Sequence, residues 1–175
     1  MLIKLMETNK EIQGKAYVHW KAWQEAYADL IPKDFLQKTY TLERCQDWAV
    51  RYPQNILVAL VDEQVVGFAC YGASSQEDLQ EAGELYALYV LADYYDQGIG
   101  YQLMQAALEK LQSYHRVSLW VLEGNVRAIA FYEKVGFRFD GISKTVKLGA
   151  DRTEYRMVLE LSAEKNQKNN ILNIE

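Results

Sequence analysis

At 175 residues, with 50% hydrophobic and 25% charged side chains, the chain has the length and balance of one globular domain with a filled core, and neither disorder nor a second domain is indicated. A formal net charge of −5 argues against broad nucleic-acid binding, which works through a basic surface, and suits a cationic small partner. No apolar run approaches the ~20 residues of a bilayer span, and the start M-L-I-K-L-M-E lacks the charged opening and long apolar centre of a signal peptide, so no membrane association and a cytoplasmic location are expected.

Met1 to Met6 reads as a short first strand. From Glu11 to Leu30 the apolar spacing turns helical; His19, Trp23 and Tyr27 are four residues apart and so share one face. Pro32 is expected to end that helix, because the residue before a proline avoids the α region. Thr41 to Arg51 predicts a second helix with Thr41 as N-cap, although Arg44 stands where a capping box would place Glu. Two runs rich in β-branched residues, Ile56 to Val61 and Val65 to Tyr71, are joined by D-E-Q and predict a hairpin.

Ala73 to Glu81 is polar and acidic, a surface connection before a central strand at Leu85 to Leu91. A helix is expected from Gly98, with apolar residues at Ile99, Leu103, Met104, Ala107, Leu108 and Leu111. Val117 to Leu122 reads as a strand, Asn125 to Val135 as a helix with Gly136 just past its end, and Phe137 to Ser143 with Glu154 to Leu161 as a closing antiparallel pair. The domain is expected to span 1–161, and 162–175 to form a polar, frayed tail. Cys45 and Cys70 lie far apart with no C-x-x-C or neighbouring His, and only His19 and His115 are available, so no metal is expected.

The stretch from Glu84 to Leu103 carries the chemistry. It passes from a strand through a tyrosine-rich turn to Gly98 and Gly100 at a helix start. Glycines there let unpaired backbone N–H groups converge on an anion, and the helix dipole adds to the attraction. They also serve any tight strand-to-helix turn. A Walker A loop is ruled out by Tyr101 and Gln102 after Gly100, and a dinucleotide fingerprint by Leu103 where its third glycine belongs.

Three segments in sequence order, E-L-Y-A-L-Y-V from Glu84, the Q-G-I-G loop, and N-V-R-A-I-A-F-Y-E-K-V-G-F from Asn125 to Phe137, resemble the GNAT superfamily of acyl-CoA-dependent N-acetyltransferases. The resemblance covers roughly residues 1 to 161. It implies an α/β, GNAT-like fold: a mixed, mostly antiparallel, twisted sheet whose central strands splay apart between flanking helices. Acetyl-CoA is the implied cosubstrate, with its pantetheine arm in the splay and a small-molecule amine as acceptor. Sequence leaves open a homodimer, and it leaves open a binding or sensing module of the same fold without turnover.

Residue by residue, the resemblance makes Tyr132 the acid that protonates the departing thiolate and Glu84 the base that takes the amine proton, directly or through a water. An isolated glutamate in a strand is equally an ordinary solvent-facing residue. The resemblance places Leu88, Tyr89 and Val90 along the pantetheine arm, with an oxyanion-directed N–H at Leu88. Tyr95, Asp96, Gln97, Gly98, Ile99, Gly100 and Tyr101 would form the pyrophosphate loop, with Asn125 and Phe131 as further cofactor contacts. The loop departs from the family pattern: Tyr95 stands where Gln or Arg is usual, no cation lies within it, and Asp96 is an anion that would suit a helix N-cap. Arg127 and Lys134 are the nearest compensating cations, or else solvated surface. The acceptor pocket is expected between the first helices, at Trp20, Trp23, Tyr27 and Phe35, and the last hairpin at Lys144 to Arg152. The acidic set Glu77, Asp78, Glu81 and Glu84 would favour a polyamine or other cationic amine, unless it is a wet loop.

Overall fold

A computed structural model describes residues 1–161; the expected polar tail at 162–175 lies outside the described residues. Seven strands form one sheet: β1 (Leu2–Leu5), β2 (Ile56–Val61), β3 (Gln64–Ala73), β4 (Gly83–Val90), β5 (Arg116–Leu122), β6 (Arg138–Lys147) and β7 (Asp151–Glu160). Their order is β1-β2-β3-β4-β5-β7-β6, and every neighbouring pair is antiparallel except β4 with β5. The helices are α1 (Asn9–Ala26), α2 (Lys33–Thr39), α3 (Leu42–Arg51), α4 (Ile99–Lys110) and α5 (Val126–Val135). This is the expected mixed, mostly antiparallel α/β sheet.

Local chemistry sets the helix ends. Thr8 caps α1 in a complete capping box: its hydroxyl accepts from the Glu11 N–H at 3.2 Å, and the Glu11 carboxylate accepts from the Thr8 N–H at 3.0 Å. Burial works against the Glu11 charge, but the N–H groups of Glu7 and Thr8 and the Lys4 ammonium outweigh it and hold the carboxyl down at about 2. Thr41 caps α3 as expected, accepting from the Arg44 N–H at 3.3 Å. Pro32 corrects the reading of the first helix. The helix stops at Ala26, and Pro32 instead opens α2, a helix too short for its periodicity to register in the sequence. Asp62 and Glu63 turn the β2–β3 hairpin with φ of 48° and 59°, the left-handed pair that matches the twist of the flanking strands.

One face of the sheet is covered by α4 and α5, the other by α1. On the first, Ile99, Leu103, Met104, Ala107 and Leu111 of α4 pack with Leu85, Val90, Val117, Leu119, Val121 and Met157 of the strands. On the second, Val18 of α1 meets Val58, Val65 and Phe68. Behind α1, the fully buried Ala16, Cys45 and Ala49 let α3 approach closely. Both cysteines are free, one in α3 and one in β3. Leu122 joins Ile31 and Leu36 with Trp23, Tyr27, Phe35, Val146 and Leu148, which ties the α1–α2 segment to the last hairpin.

Two irregularities in β4 create the site. Its parallel pairing with β5 holds for only two residues, Gly83 with Val117 and Glu84 with Ser118, after which the strands part. On the other edge, β3 registers Cys70 with Ala87 but Tyr71 with Leu85, so Tyr86 is the extra residue of a β-bulge. Unbroken alternation would put Glu84 and Leu88 on one face. The bulge moves Leu88 to the α4 face with Leu85 and Val90, and leaves Glu84 on the α1 face with Ala87 and Tyr89.

Candidate active site

Where β4 and β5 diverge, a cavity of about 710 Å3 opens between them, walled by β4, β5, α5 and the β4–α4 loop. The edge of β4 that faces it still has unspent main-chain groups. The Leu91 N–H donates to the Val66 carbonyl on the β3 side, and successive strand amides point to opposite edges. The N–H groups of Leu88 and Val90 therefore point into the gap, free to pair with an extended ligand as a further strand would.

At the next stage of the cavity, Gly98 starts α4 in the left-handed region with φ 76°. The first intrahelical bond runs from the Gln102 N–H to the Gly98 carbonyl at 3.1 Å, which leaves the amides of Ile99, Gly100 and Tyr101 unspent at the cavity mouth. A Cβ on Gly100 would come no nearer than 3.8 Å to Phe131, so the open space at this turn lies on the cavity side. Asp96 does not cap the helix as expected; Gly98 holds that position. Asp96 is itself left-handed, at φ 60°, and its carboxylate is exposed. It lies 3.7 Å from the Arg127 guanidinium, which stacks 3.4 Å from the centre of the Tyr95 ring. Arg127 and Lys134 both line the cavity, so the cations absent from the loop are supplied by α5.

Asn125 caps α5, its side chain accepting from the Ala128 N–H at 3.2 Å, and Gly136 ends the helix at φ 118°. The helix presents Tyr132 to the cavity, its ring set against Phe131 and Phe137 at centroid distances of 5.5 and 6.0 Å. Burial raises the Tyr132 phenol above the ordinary tyrosine range, so it holds its proton throughout neutral pH. Of the cofactor contacts expected from the sequence, all line the cavity except Gln97, whose side chain turns back to the Asp93 carbonyl at 3.2 Å.

Glu84 is placed differently. It is 7% exposed and accepts from Ser74 Oγ and Gln76 Nε2, each at 3.1 Å, while its neighbour Leu85 lines the cavity. Gln76 is held in turn by the Arg156 guanidinium at 2.7 Å; Arg156 also grips Asp78 through both terminal nitrogens and Asp140 through Nε. The stretch read as a wet acidic loop thus contributes a 3-10 turn, Glu77–Leu79, clamped to β7. Asp78 is spent on Arg156, and Glu77 and Glu81 are exposed, so the acidic set does not converge on the cavity.

The acceptor side is aromatic. Tyr27 reaches the cavity and its hydroxyl lies 3.2 Å from that of Tyr89. Trp23 and Phe35, also expected here, pack behind Tyr27 without lining the cavity, Trp23 stacking on Tyr40 with ring centres 3.5 Å apart, and no residue of 144–152 lines it. Trp20, expected here, instead packs on α3 with Cys45 and Ala49. Trp120 of β5, absent from the sequence reading, lines the cavity on this side, and Glu154 of β7 pairs with the Lys144 ammonium that lies over the Trp120 ring. Burial raises the phenols of Tyr27 and Tyr40, and the hydrogen bond with Tyr89 partly offsets this at Tyr27. Among the described residues, no group of three or more His, Cys, Asp or Glu is arranged to hold a metal ion. No described helix is long and apolar enough to cross a membrane.

An unpaired strand edge, a glycine-opened helix start and a flanking cation fit a ligand with an amide-bearing arm and a pyrophosphate. Comparison with known proteins agrees. The acetyltransferase (GNAT) family matches residues 20–137. YuaI, an uncharacterized N-acetyltransferase of Bacillus subtilis, is 32% identical over 127 residues, 71% of this chain and 73% of its own. The spermine/spermidine N(1)-acetyltransferase of the same organism is 29% identical over 83 residues, 44% of this chain and 55% of its own. The crystal structure of the PaiA N-acetyltransferase from Thermoplasma acidophilum in complex with coenzyme A superposes with a TM-score of 0.69 at 22% identity, over 92% of this chain and all of that one. With a splayed β4–β5 pair, a glycine-started α4 and a cavity-facing tyrosine on α5, the chain belongs to the GNAT family and is an acyl-CoA-dependent N-acetyltransferase.

Proposed function

We propose that the protein transfers the acetyl group of acetyl-CoA to a primary amine of a small cationic molecule, polyamine-like in character, by direct attack with both substrates bound. The observation that carries this reading is the single cavity in which free β4 amides, the α4 start and the Tyr132 phenol meet an aromatic acceptor wall. The likeness to a spermine/spermidine acetyltransferase supports the substrate class.

Bound acetyl-CoA supplies the thioester, and the protein supplies position and protons. The Leu88 N–H is directed at the gap, where it can stabilise negative charge developing on a thioester carbonyl oxygen. Tyr132 gives its proton to the departing sulfur. Its hydroxyl has no hydrogen-bond partner among the described residues, so the proton is not committed elsewhere. A phenol near ~10 or above is a weaker acid than a thiol near ~8.5, but the burial that raises the phenol also makes a thiolate in the same cavity more basic. Glu84, set behind the wall beside Leu85, takes the amine proton through a water rather than by contact.

The test is release of free thiol from acetyl-CoA with a panel of amines: monoamines, linear diamines and triamines, and an amino acid. Turnover is expected with the linear polycations above the others. Binding of acetyl-CoA with no turnover across the panel would overturn the reading.

A further inference from the structure

On the acceptor face of the sheet, three neighbouring strands bring together a cation seat. Trp120 on β5 lies opposite Arg156 on β7, and Glu154 on β7 lies opposite Lys144 on β6. The Lys144 ammonium sits 3.9 Å from the centre of the Trp120 ring and 3.2 Å from the Glu154 carboxylate. An aromatic face with a carboxylate beside it is the environment that binds an alkylammonium ion. Arg156 also faces the Trp120 ring, at 5.9 Å from its centre and farther than Lys144, but its ion pairs are with Asp78 and Asp140, not with Glu154.

We propose that Trp120 and Glu154 form the subsite for a second ammonium of a linear diamine or polyamine, and that Lys144 occupies it as a built-in stand-in until substrate displaces it. The proposal rests on the amine-acetylating reading above and deepens it. Trp120 and Tyr132 line the same cavity, so a chain whose far cation rests on the indole has its other amine in the space that Tyr132 faces. Glu154 pairs across the β7–β5 ladder with Leu122, which packs with Trp23 and Tyr27, so its carboxylate lies on the sheet face that carries the aromatic cluster. The stand-in can leave. The Lys144 side chain is 43% exposed on a flexible four-carbon stem, against 24% for Glu154, so release needs only rotation into water.

The experiment compares 1,4-diaminobutane with butylamine, reading the ratio of their kcat/KM values in wild type, Lys144→Met, Lys144→Arg and Glu154→Gln, with melting temperature as the check on folding. Removing the stand-in should raise the diamine preference about fivefold, the scale of a partly exposed cation–π and ion-pair contact. Lys144→Arg, which keeps a cation over the ring, should resemble wild type, and Glu154→Gln should lower the preference by about as much. An unchanged ratio in folded Lys144→Met and Glu154→Gln overturns the seat while leaving amine acetylation standing. If wild type turns over no amine, the functional reading fails instead, and calorimetric binding of 1,4-diaminobutane to the CoA-loaded protein decides the seat separately. Tighter binding by Lys144→Met than by wild type supports it, and equal or absent binding in both overturns it.

Discussion

The two ends of the cavity are made of different material. The cofactor end is largely main chain: free amides along β4 and at the start of α4, with Gly98 and Gly100 keeping side chains away. The acceptor end is largely side chain, contributed from positions as distant as Tyr27 beyond α1, Tyr89 on β4 and Trp120 on β5. Main-chain recognition needs a particular backbone shape and few identities, whereas side-chain recognition can be rewritten one residue at a time. On the proposed function, the difference puts common chemistry at one end and acceptor choice at the other.

The sharpest way to break this comparison lies where the two ends meet. Tyr132→Phe should lower turnover by on the order of 10²-fold or more, the loss of a positioned general acid, while acetyl-CoA binding and melting temperature stay close to wild type. The ring packing against Phe131 and Phe137 is retained, so a variant with near-normal turnover on a chemistry-limited substrate would remove the acid from Tyr132. Next in size is Gly100→Val. Its new Cβ has room in the protein, so the chain should fold, but CoA affinity should drop about tenfold to a hundredfold, the worth of one hydrogen bond to a charged group. Unchanged affinity measured by calorimetry would show that the α4 start holds no phosphate.

A third test concerns the aromatic wall behind the acceptor end. His19 lies among Trp23, Tyr40, Trp48, Phe68 and Tyr89; burial first, and the Lys15 charge second, hold its pKa down at about 3. The unfolded chain binds this proton from about pH 6.5 downward, so the stability from a neutral His19 is complete above that pH and is lost as pH falls toward 3. By pH 5 the loss should be about 2 kcal/mol, or a fall of about 4–8 °C in melting temperature. Glu11 adds its own loss only below about 4.5. Measured between pH 7 and 5, the slope should flatten in His19→Phe; an equal slope there would assign the acid sensitivity elsewhere.

Glu84→Gln should cost roughly tenfold in turnover, less than a base in direct contact, and the deficit should shrink as rising pH deprotonates the amine unaided. A loss of equal size at every pH would make Glu84 a structural partner of Ser74 and Gln76. The smallest effects belong to the loop charges. Arg127→Gln should weaken CoA binding only a few-fold, as a half-exposed cation should, and Asp96→Asn should leave binding equal or slightly tighter. A large loss from Asp96→Asn would mean that the left-handed Asp96 shapes the loop itself.

The same contrast explains what could be read from sequence. Gly98, Gly100, Asn125, Tyr132 and Gly136 lie within two short segments, and their structural roles depend on spacing along one strand-to-helix turn and one helix. Trp120 and Glu154 have no such local signature; they meet Lys144 only through the sheet order β5-β7-β6, and alternation within a strand does not say what stands opposite. Glu84 was legible as a strand carboxylate, but neither its burial nor its direction was, because the Tyr86 bulge changes the phase of β4 without any glycine or proline to announce it. Asp96 was misread as a cap because Gly98, two residues on, holds the left-handed conformation required at the helix start. α2 escaped because a helix of 7 residues behind a proline carries too few turns to show a period.

The two-rung contact between β4 and β5 makes the completeness of the sheet a property of the complex and not of the polypeptide. In the free chain, strands β1 to β4 and strands β5, β7 and β6 are two leaves bound at one corner by main-chain bonds and elsewhere by side-chain packing alone. On the proposed function, a pantetheine arm laid along Leu88 and Val90 would stitch the leaves together, so each catalytic cycle would sew and unpick a seam in the enzyme's own architecture. Solvent exchange at those two amides would then be a clock for cofactor residence, running fast when the seam is open and slow when it is closed.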